Sequence, residues 1–218
     1  MPNSRAPDPL CMHRQLSLQG DFMTSKAIFF CVFSASVLSA CGGGGGGESS
    51  ATTAAPALGR NGAVDVNTVS QPGGQTCDID QYARKVLAAI NAARAVGQNC
   101  GETAMPPAAA LSWNMLLTQS AASHSAEMAA HNYFSHTGFN GSHSSDRIAA
   151  AGYVSNGSSE VLAKVVGANA GNMIPLVLDG WLKSPGHCRV LMSADMKEMG
   201  AACTKGGRSA YTTVNFGG

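Results

Sequence analysis

MIPLVLDGWLKSPGHCRVLMSADMKEMGAACTKGGRSAYTTVNF, residues 173–216, holds both kinds of regular structure and decides the fold class. Met173 to Lys183 reads as a helix that Ser184-Pro185-Gly186 stops. His187 to Met192 is a short turn or helix. Met199 to Cys203 and Ala210 to Phe216 read as two strands, joined by a hairpin turn at Lys205-Gly206-Gly207-Arg208. The small residues within 199–203 imply that a helix packs tightly on that strand. Helices beside an antiparallel hairpin predict a mixed α and β domain, an antiparallel sheet covered by helices.

The pattern extends upstream. In Asp78 to Val96, Ile79, Tyr82, Val86, Leu87, Ile90, Ala93 and Arg94 recur at three and four residues, which predicts an amphipathic helix capped by Asp78 or Asp80 and ended by Gly97. Met105-Pro106-Pro107 is a break. A longer helix is predicted from an N-cap at Ser112 to about Tyr133, with Leu116, Leu117, Ser120, Ala121, His124, Met128 and Ala129 inward. Phe134 to Ser145 is a loop rich in glycine and histidine, Asp146 to Ala151 a short helix, and Glu160 to Val166 a strand.

The front of the chain reads differently. Met23 to Ala40, MTSKAIFFCVFSASVLSA, has a basic start at Lys26, an apolar run and small residues before Cys41, the pattern of a secretory signal. The run from Ala27 to Leu38 is too short to span a bilayer as a helix. Leu38-Ser39-Ala40-Cys41 resembles the lipobox of bacterial lipoproteins, which implies cleavage before Cys41 and a lipid on its thiol. Gly42 to Gly47 and the Ser/Ala/Thr/Pro stretch beyond have linker composition. The expected organisation is an upstream extension (1–22), a signal peptide (23–40), a lipidated linker (41–76) and one folded domain (77–218). Gly42 stands where an aspartate would retain a lipoprotein at the inner membrane, so in a diderm host the outer membrane or a periplasm-facing surface is expected. From Cys41 onward eleven Lys and Arg balance eleven Asp and Glu without a charge block, so no nucleic-acid partner is expected. A monomer is expected.

Four cysteines remain in the domain: Cys77, Cys100, Cys188 and Cys203. An even number in an exported domain predicts disulfides, and three pairings are open. The local one, Cys77–Cys100 with Cys188–Cys203, closes two short loops and is the expected pairing. A zinc-cysteine site would want C-x-x-C spacing, which these residues lack. His124, Glu127 and His131 do not make a metalloprotease helix, because their histidines lie seven apart instead of four. His124 reads as a core or capping histidine, and His143 as a solvated loop residue. No serine sits in a G-x-S-x-G turn. Trp181 and Tyr153 read as core.

Three stretches carry a family resemblance: Ala121–Ala129 with Tyr133-Phe134-Ser135-His136-Thr137-Gly138; Asp146-Arg147-Ile148 with Ala151-Gly152-Tyr153; and Gly180–Arg189 running on to Glu198–Cys203. Together they resemble the CAP superfamily of cysteine-rich secretory, antigen 5 and pathogenesis-related 1 proteins, in its bacterial SCP-like branch. The resemblance implies a three-layer α-β-α sandwich. It also implies a cavity in which His136 and His187 are the two histidines, Glu160 is an acid, and Ser184 takes the second acidic position. Two departures stand out: Val161 replaces an asparagine and Ser184 a carboxylate. Two imidazoles and water can hold zinc or another divalent cation weakly, one ligand short of the three usual in catalytic zinc sites. Glu160 would orient an imidazole or act as a base. The resulting reading is a tethered, non-enzymatic domain that binds a lipid, sterol, glycan or peptide. The alternative is a divalent-metal-dependent hydrolase acting on envelope peptides or glycans.

Overall fold

The computed structural model describes residues 60–218 apart from residue 168. The signal, Cys41 and the glycine tract lie outside the described residues. The central sheet is built on a hairpin, β6 (Glu198–Gly206) and β7 (Ser209–Gly217), paired along its whole length. Its turn is only Gly207-Arg208, and Gly207 takes a positive φ of 57°, which glycine adopts without steric cost. β5 (Ser158–Val166) adds antiparallel to β7, placing Glu160 opposite Asn215. On the other side β4 (Ser112–Asn114) pairs with β6, and β1 (Ala63–Val64) pairs with β4. The β4–β6 pairing is parallel, so the sheet is mixed where a purely antiparallel one was expected. β2 (Gln98–Cys100) and β3 (Thr103–Met105) form a separate small antiparallel hairpin that the sequence pattern did not reveal.

Helices cover both faces. α2 (Met115–His131) lies on β6 and β7. Gly200 explains how closely: a Cβ there would stand 2.1 Å from Thr118 N and 2.5 Å from the Leu117 carbonyl carbon. Ala121, Ala122 and Ala202 fill the rest of that seam, the packing expected from the small residues of 199–203. The opposite face carries α1 (Tyr82–Arg94), α4 (Met173–Lys183) and α5 (Pro185–Met192) over the main core, where Val86, Ile90, Trp113, Val177, Trp181, Met199, Val214 and Phe216 pack together. α3 (Ser144–Ala150) lies beside β5. The architecture is the expected α-β-α sandwich. Trp181 is core as expected, and its Nε1 donates to Leu162 O at 2.9 Å. Arg94, on the inward stripe of α1, is wholly buried. Its guanidinium donates to the carbonyls of Ala109, Leu191, Ser193 and Met196 and pins the segment after α5 to α1.

Four expectations need correction. The disulfides are Cys77–Cys203 and Cys100–Cys188, a nested pair; neither Cys77–Cys100 nor Cys188–Cys203 forms. Thr76 bridges in parallel to Cys203, which brings Cys77 to β6, and the β2–β3 hairpin packs Cys100 against α5. Residues 60–76 are part of the fold, not linker. β1 extends the sheet, Gln71 Nε2 donates to Ala201 O at 2.8 Å, and Asn114 Nδ2 donates to Asn61 O at 2.7 Å. Such docking runs on backbone pairing and single polar side chains, which leave no apolar period. The cap of α2 is Asn114, whose side chain accepts from Leu116 N and Leu117 N, because Ser112 is drawn into β4. Neither Asp78 nor Asp80 caps α1; Gln81, at φ 53°, occupies that position without a side-chain bond.

Candidate functional site

The site forms at the start of edge strand β5, where the loop after α2 and the N-terminal turn of α5 both arrive. Glu160 is the fixed point. Its side chain is 1% exposed, yet each oxygen has a donor. His136 Nδ1 stands 2.9 Å from Oε1, and Arg147 Nη2 donates to Oε2 at 2.8 Å. A carboxylate only accepts, so the His136 proton sits on Nδ1 and Nε2 is the ring nitrogen left for other partners. The Asn215 amide completes the cage from the adjacent strand. With its nitrogen 3.1 Å from Glu160 Oε2, its oxygen accepts from Ser120 Oγ at 3.0 Å and Ala121 N at 3.2 Å. This orientation satisfies every partner, whereas the reverse sets oxygen against oxygen.

Arg147 links the parts. Nη2 also donates to His136 O at 3.1 Å, and Nη1 donates to Ser142 O at 2.9 Å. One guanidinium therefore clamps both ends of the histidine loop and neutralises Glu160. Its fork supplies several donors at fixed angles, which a lysine could not match. The His136 ring itself is 57% exposed, a half-solvated imidazole on a buried stem.

His187 enters from α5, half-buried. Burial pushes its pKa down, and the His136 imidazole lowers it further. Ser184 caps the same helix through its carbonyl, which accepts from Cys188 N at 2.8 Å; among the described residues its hydroxyl bonds none of the three. His136 and Glu160 thus come together, while His187 stands on α5 with Ser184 one turn back along the chain. Sequence reasoning missed Arg147 and Asn215. Arg147 lies in a quoted stretch but carried no signal of its role. Asn215 could have been suspected as the one amide side chain in its strand, between Val214 and Phe216.

His124 is 0% exposed, with Nε2 2.9 Å from Ser135 O, as expected of a core histidine. Burial holds its pKa below the usual value. Glu127 Oε2 lies 3.4 Å from its Nδ1, too far for a good hydrogen bond, and accepts instead from the Tyr133 hydroxyl. His143 opens α3, and its backbone N–H donates to Asp146 Oδ2 at 2.9 Å.

Among the described residues no three His, Cys, Asp or Glu side chains converge as a metal-binding group. Glu160 is spent on His136, Arg147 and Asn215, so a cation here would have His136 Nε2 and His187 as its protein donors. That donor set fits weak binding completed by water, not a closed three-ligand centre.

An α-β-α sandwich stapled by nested disulfides, with a histidine and a buried glutamate paired at an edge strand, is the class of domain this chain defines. The chain belongs to the cysteine-rich secretory protein family, the CAP family, whose model matches residues 87–216. No curated protein matches it. Among solved structures, NaASP2 with Zn2+ aligns at TM-score 0.50 and 15% identity over 68% of this chain and 84% of that one, which supports the fold. An outer surface protein of Borrelia burgdorferi aligns at TM-score 0.43 and 24% identity, covering 49% of this chain and 76% of that one. An extracellular SCP-domain protein of Bacillus anthracis aligns at TM-score 0.42 and 24% identity, covering 50% of this chain and 34% of that one. This chain thus spans about a third of the length of the Bacillus anthracis protein.

Proposed function

We propose that the chain is exported, held at the cell envelope by a lipid on Cys41, and that its CAP domain binds a ligand in the His136–Glu160–His187 cleft without turning it over. The observation that carries this reading is the state of Glu160. Buried to 1% exposure, with donors on both oxygens, it orients His136 and is shielded from a solvent-borne substrate. A general base must reach the proton it abstracts.

Of the ligand classes expected, the polar ones are favoured. The apolar slot between α1 and α4, lined by Val86, Ile90, Val177 and Trp181, has a volume of about 20 Å³. That holds one or two water-sized spheres, too little for an acyl chain or a sterol as the helices stand. A glycan or a peptide suits the exposed imidazole and its polar surroundings. Disulfides support export, since they persist in oxidising compartments.

The reading is tested with a peptidoglycan digest, following new reducing ends and new amines with and without added zinc. No release is expected. Release that disappears in Glu160→Gln would overturn the binding reading in favour of hydrolysis. Tethering is tested by palmitate labelling, which Cys41→Ser should abolish.

A second reading has its own support: the exposed His136 ring keeps Nε2 free, the His136 charge acts on His187, and NaASP2 was solved with Zn2+. In it, His136 and His187 hold a divalent cation weakly, and the cation would polarise a bound carbonyl or water. Calorimetric zinc titration of the wild type, His136→Ala and His187→Ala separates the cases. Equal binding by all three would remove this site.

A further inference from the structure

The chain contains three Asn-Gly dipeptides: Asn61-Gly62, Asn140-Gly141 and Asn156-Gly157. Such pairs favour turns, and they also carry a reaction. The backbone nitrogen that follows an asparagine can attack the side-chain amide carbon, and glycine sets no Cβ in its path. The attack needs two groups to be free: an amide that can swing round, and a glycine N–H that can lose its proton.

The fold treats the three pairs differently. Asn61 is clamped at both ends of its amide: Nδ2 donates to Val154 O at 2.9 Å, and Oδ1 accepts from Val154 N at 3.1 Å. Gly62 behind it is buried. Asn140 is exposed, but its Oδ1 accepts from Ser142 N at 3.0 Å, and the Gly141 N–H donates to Gly138 O at 2.8 Å.

Asn156 is exposed, and among the described residues its side chain makes no hydrogen bond. The Gly157 N–H donates to no backbone carbonyl, and space is open on every side where a Cβ would stand. The loop is held through other groups: Asn156 N–H donates to Gly218 O at 2.9 Å, and Gly157 O accepts from Gly218 N at 3.1 Å. The two atoms that would react are therefore the ones the fold leaves unengaged.

We propose that Asn156 is a self-modification site, converted through a succinimide to aspartate or isoaspartate. The bond from Gly157 N to Asn156 Cγ forms, the Cγ–Nδ2 bond breaks, and Nδ2 leaves as ammonia. Water then opens the ring. Addition at Cγ restores the main chain and leaves an aspartate; addition at the backbone carbonyl leaves an isoaspartate, with the chain rerouted through Cβ and Cγ. Nothing is oxidised or reduced, and solvent water is the one co-reactant. Asn156 lines a cleft of about 520 Å³ with Ile148, Tyr153 and Val154, and none of the residues lining it is charged. Either product gives that cleft a carboxylate. The isoaspartate also lengthens the chain between Asn156 N and Gly157 O, the two groups that hold Gly218. The proposal is independent of what binds beside His136.

The test ages the folded full-length protein in mildly alkaline buffer and follows each dipeptide by peptide mapping and mass spectrometry. Cleavage after Arg60, Arg147 and Lys164 puts the three on separate peptides. Isoaspartate is counted by enzymatic methyl transfer. Asn156 should convert first, with Asn61 and Asn140 on the order of tenfold slower, because each must first give up two hydrogen bonds or bury its glycine N–H elsewhere. In denaturant the three rates should draw together. Gly157→Ala, which the open space around Gly157 accommodates, should suppress conversion at position 156 and leave the other two unchanged. In the isoaspartate form the Gly218 amide should lose protection from hydrogen exchange. Conversion of Asn61 or Asn140 as fast as Asn156 in the folded protein overturns the proposal. So does an Asn156 that stays intact while the denatured chain reacts, or conversion indifferent to Gly157→Ala.

Discussion

Replacing Arg147 by methionine removes the charge opposite Glu160 and keeps an apolar stem of similar length. The two groups stand 2.8 Å apart, with side chains 9% and 1% exposed. At an effective dielectric of about 20 their attraction is about 6 kcal/mol, most of it offset by the desolvation both ions bear. Removing one partner of a buried pair leaves the other uncompensated, at about 3–5 kcal/mol. His136 and Asn215 still donate to Glu160, so the low end, about 3 kcal/mol, is expected for Arg147→Met. For a domain of this size that lowers Tm by about 6–12 °C. Glu160→Gln alone should cost about 2 kcal/mol. The double variant should cost about 2–3 kcal/mol, well under the sum, because no buried charge remains. Urea denaturation of the four proteins gives the coupling directly, and about 2–3 kcal/mol is expected. Additivity within about 0.5 kcal/mol would refute the claim that these side chains form one buried pair.

Other consequences follow from single features. Burial holds the His124 pKa below 6.5, so the unfolded chain takes up this proton first as pH falls. Stability should therefore decline below about pH 6.5, by up to about 1.4 kcal/mol per pH unit, and denaturation curves of His124→Gln should show a shallower decline. Non-reducing peptide mapping should recover Cys77 linked to Cys203 and Cys100 linked to Cys188; a Cys77–Cys100 peptide would contradict the topology. The bridges span 126 and 88 residues, so losing either one should cost about 4–5 kcal/mol in the chain-entropy account, measured by denaturation of the Cys→Ser pairs. Gly200→Ala drives a methyl into the α2 backbone and should cost about 3 kcal/mol, read as a lower urea midpoint at unchanged m.

The sequence by itself determined the α+β class, because helical period, strand alternation and Gly/Pro breaks are local signals. It also determined that a helix packs tightly on the 199–203 strand, since a run of glycine and alanine in a strand leaves little else to pack there; that the helix is α2 came from the fold. His136, Glu160 and His187 were legible through family resemblance, as residue types in recognisable order. What carries their chemistry was not. Arg147 and Asn215 meet Glu160 across separations of 13 and 55 positions, through a short helix and a strand register that only the folded sheet fixes. The disulfides show the same limit. Short loops look favourable along the chain, but pairing follows distance in space, and the Thr76–Cys203 bridge and the β2–β3 hairpin set those distances at 5.2 and 5.3 Å between Cα atoms. Residues 60–76 read as linker because backbone pairing at a sheet edge needs no hydrophobic pattern. Local signals are written in the residues themselves; partners far apart in sequence are chosen only when the chain closes on itself.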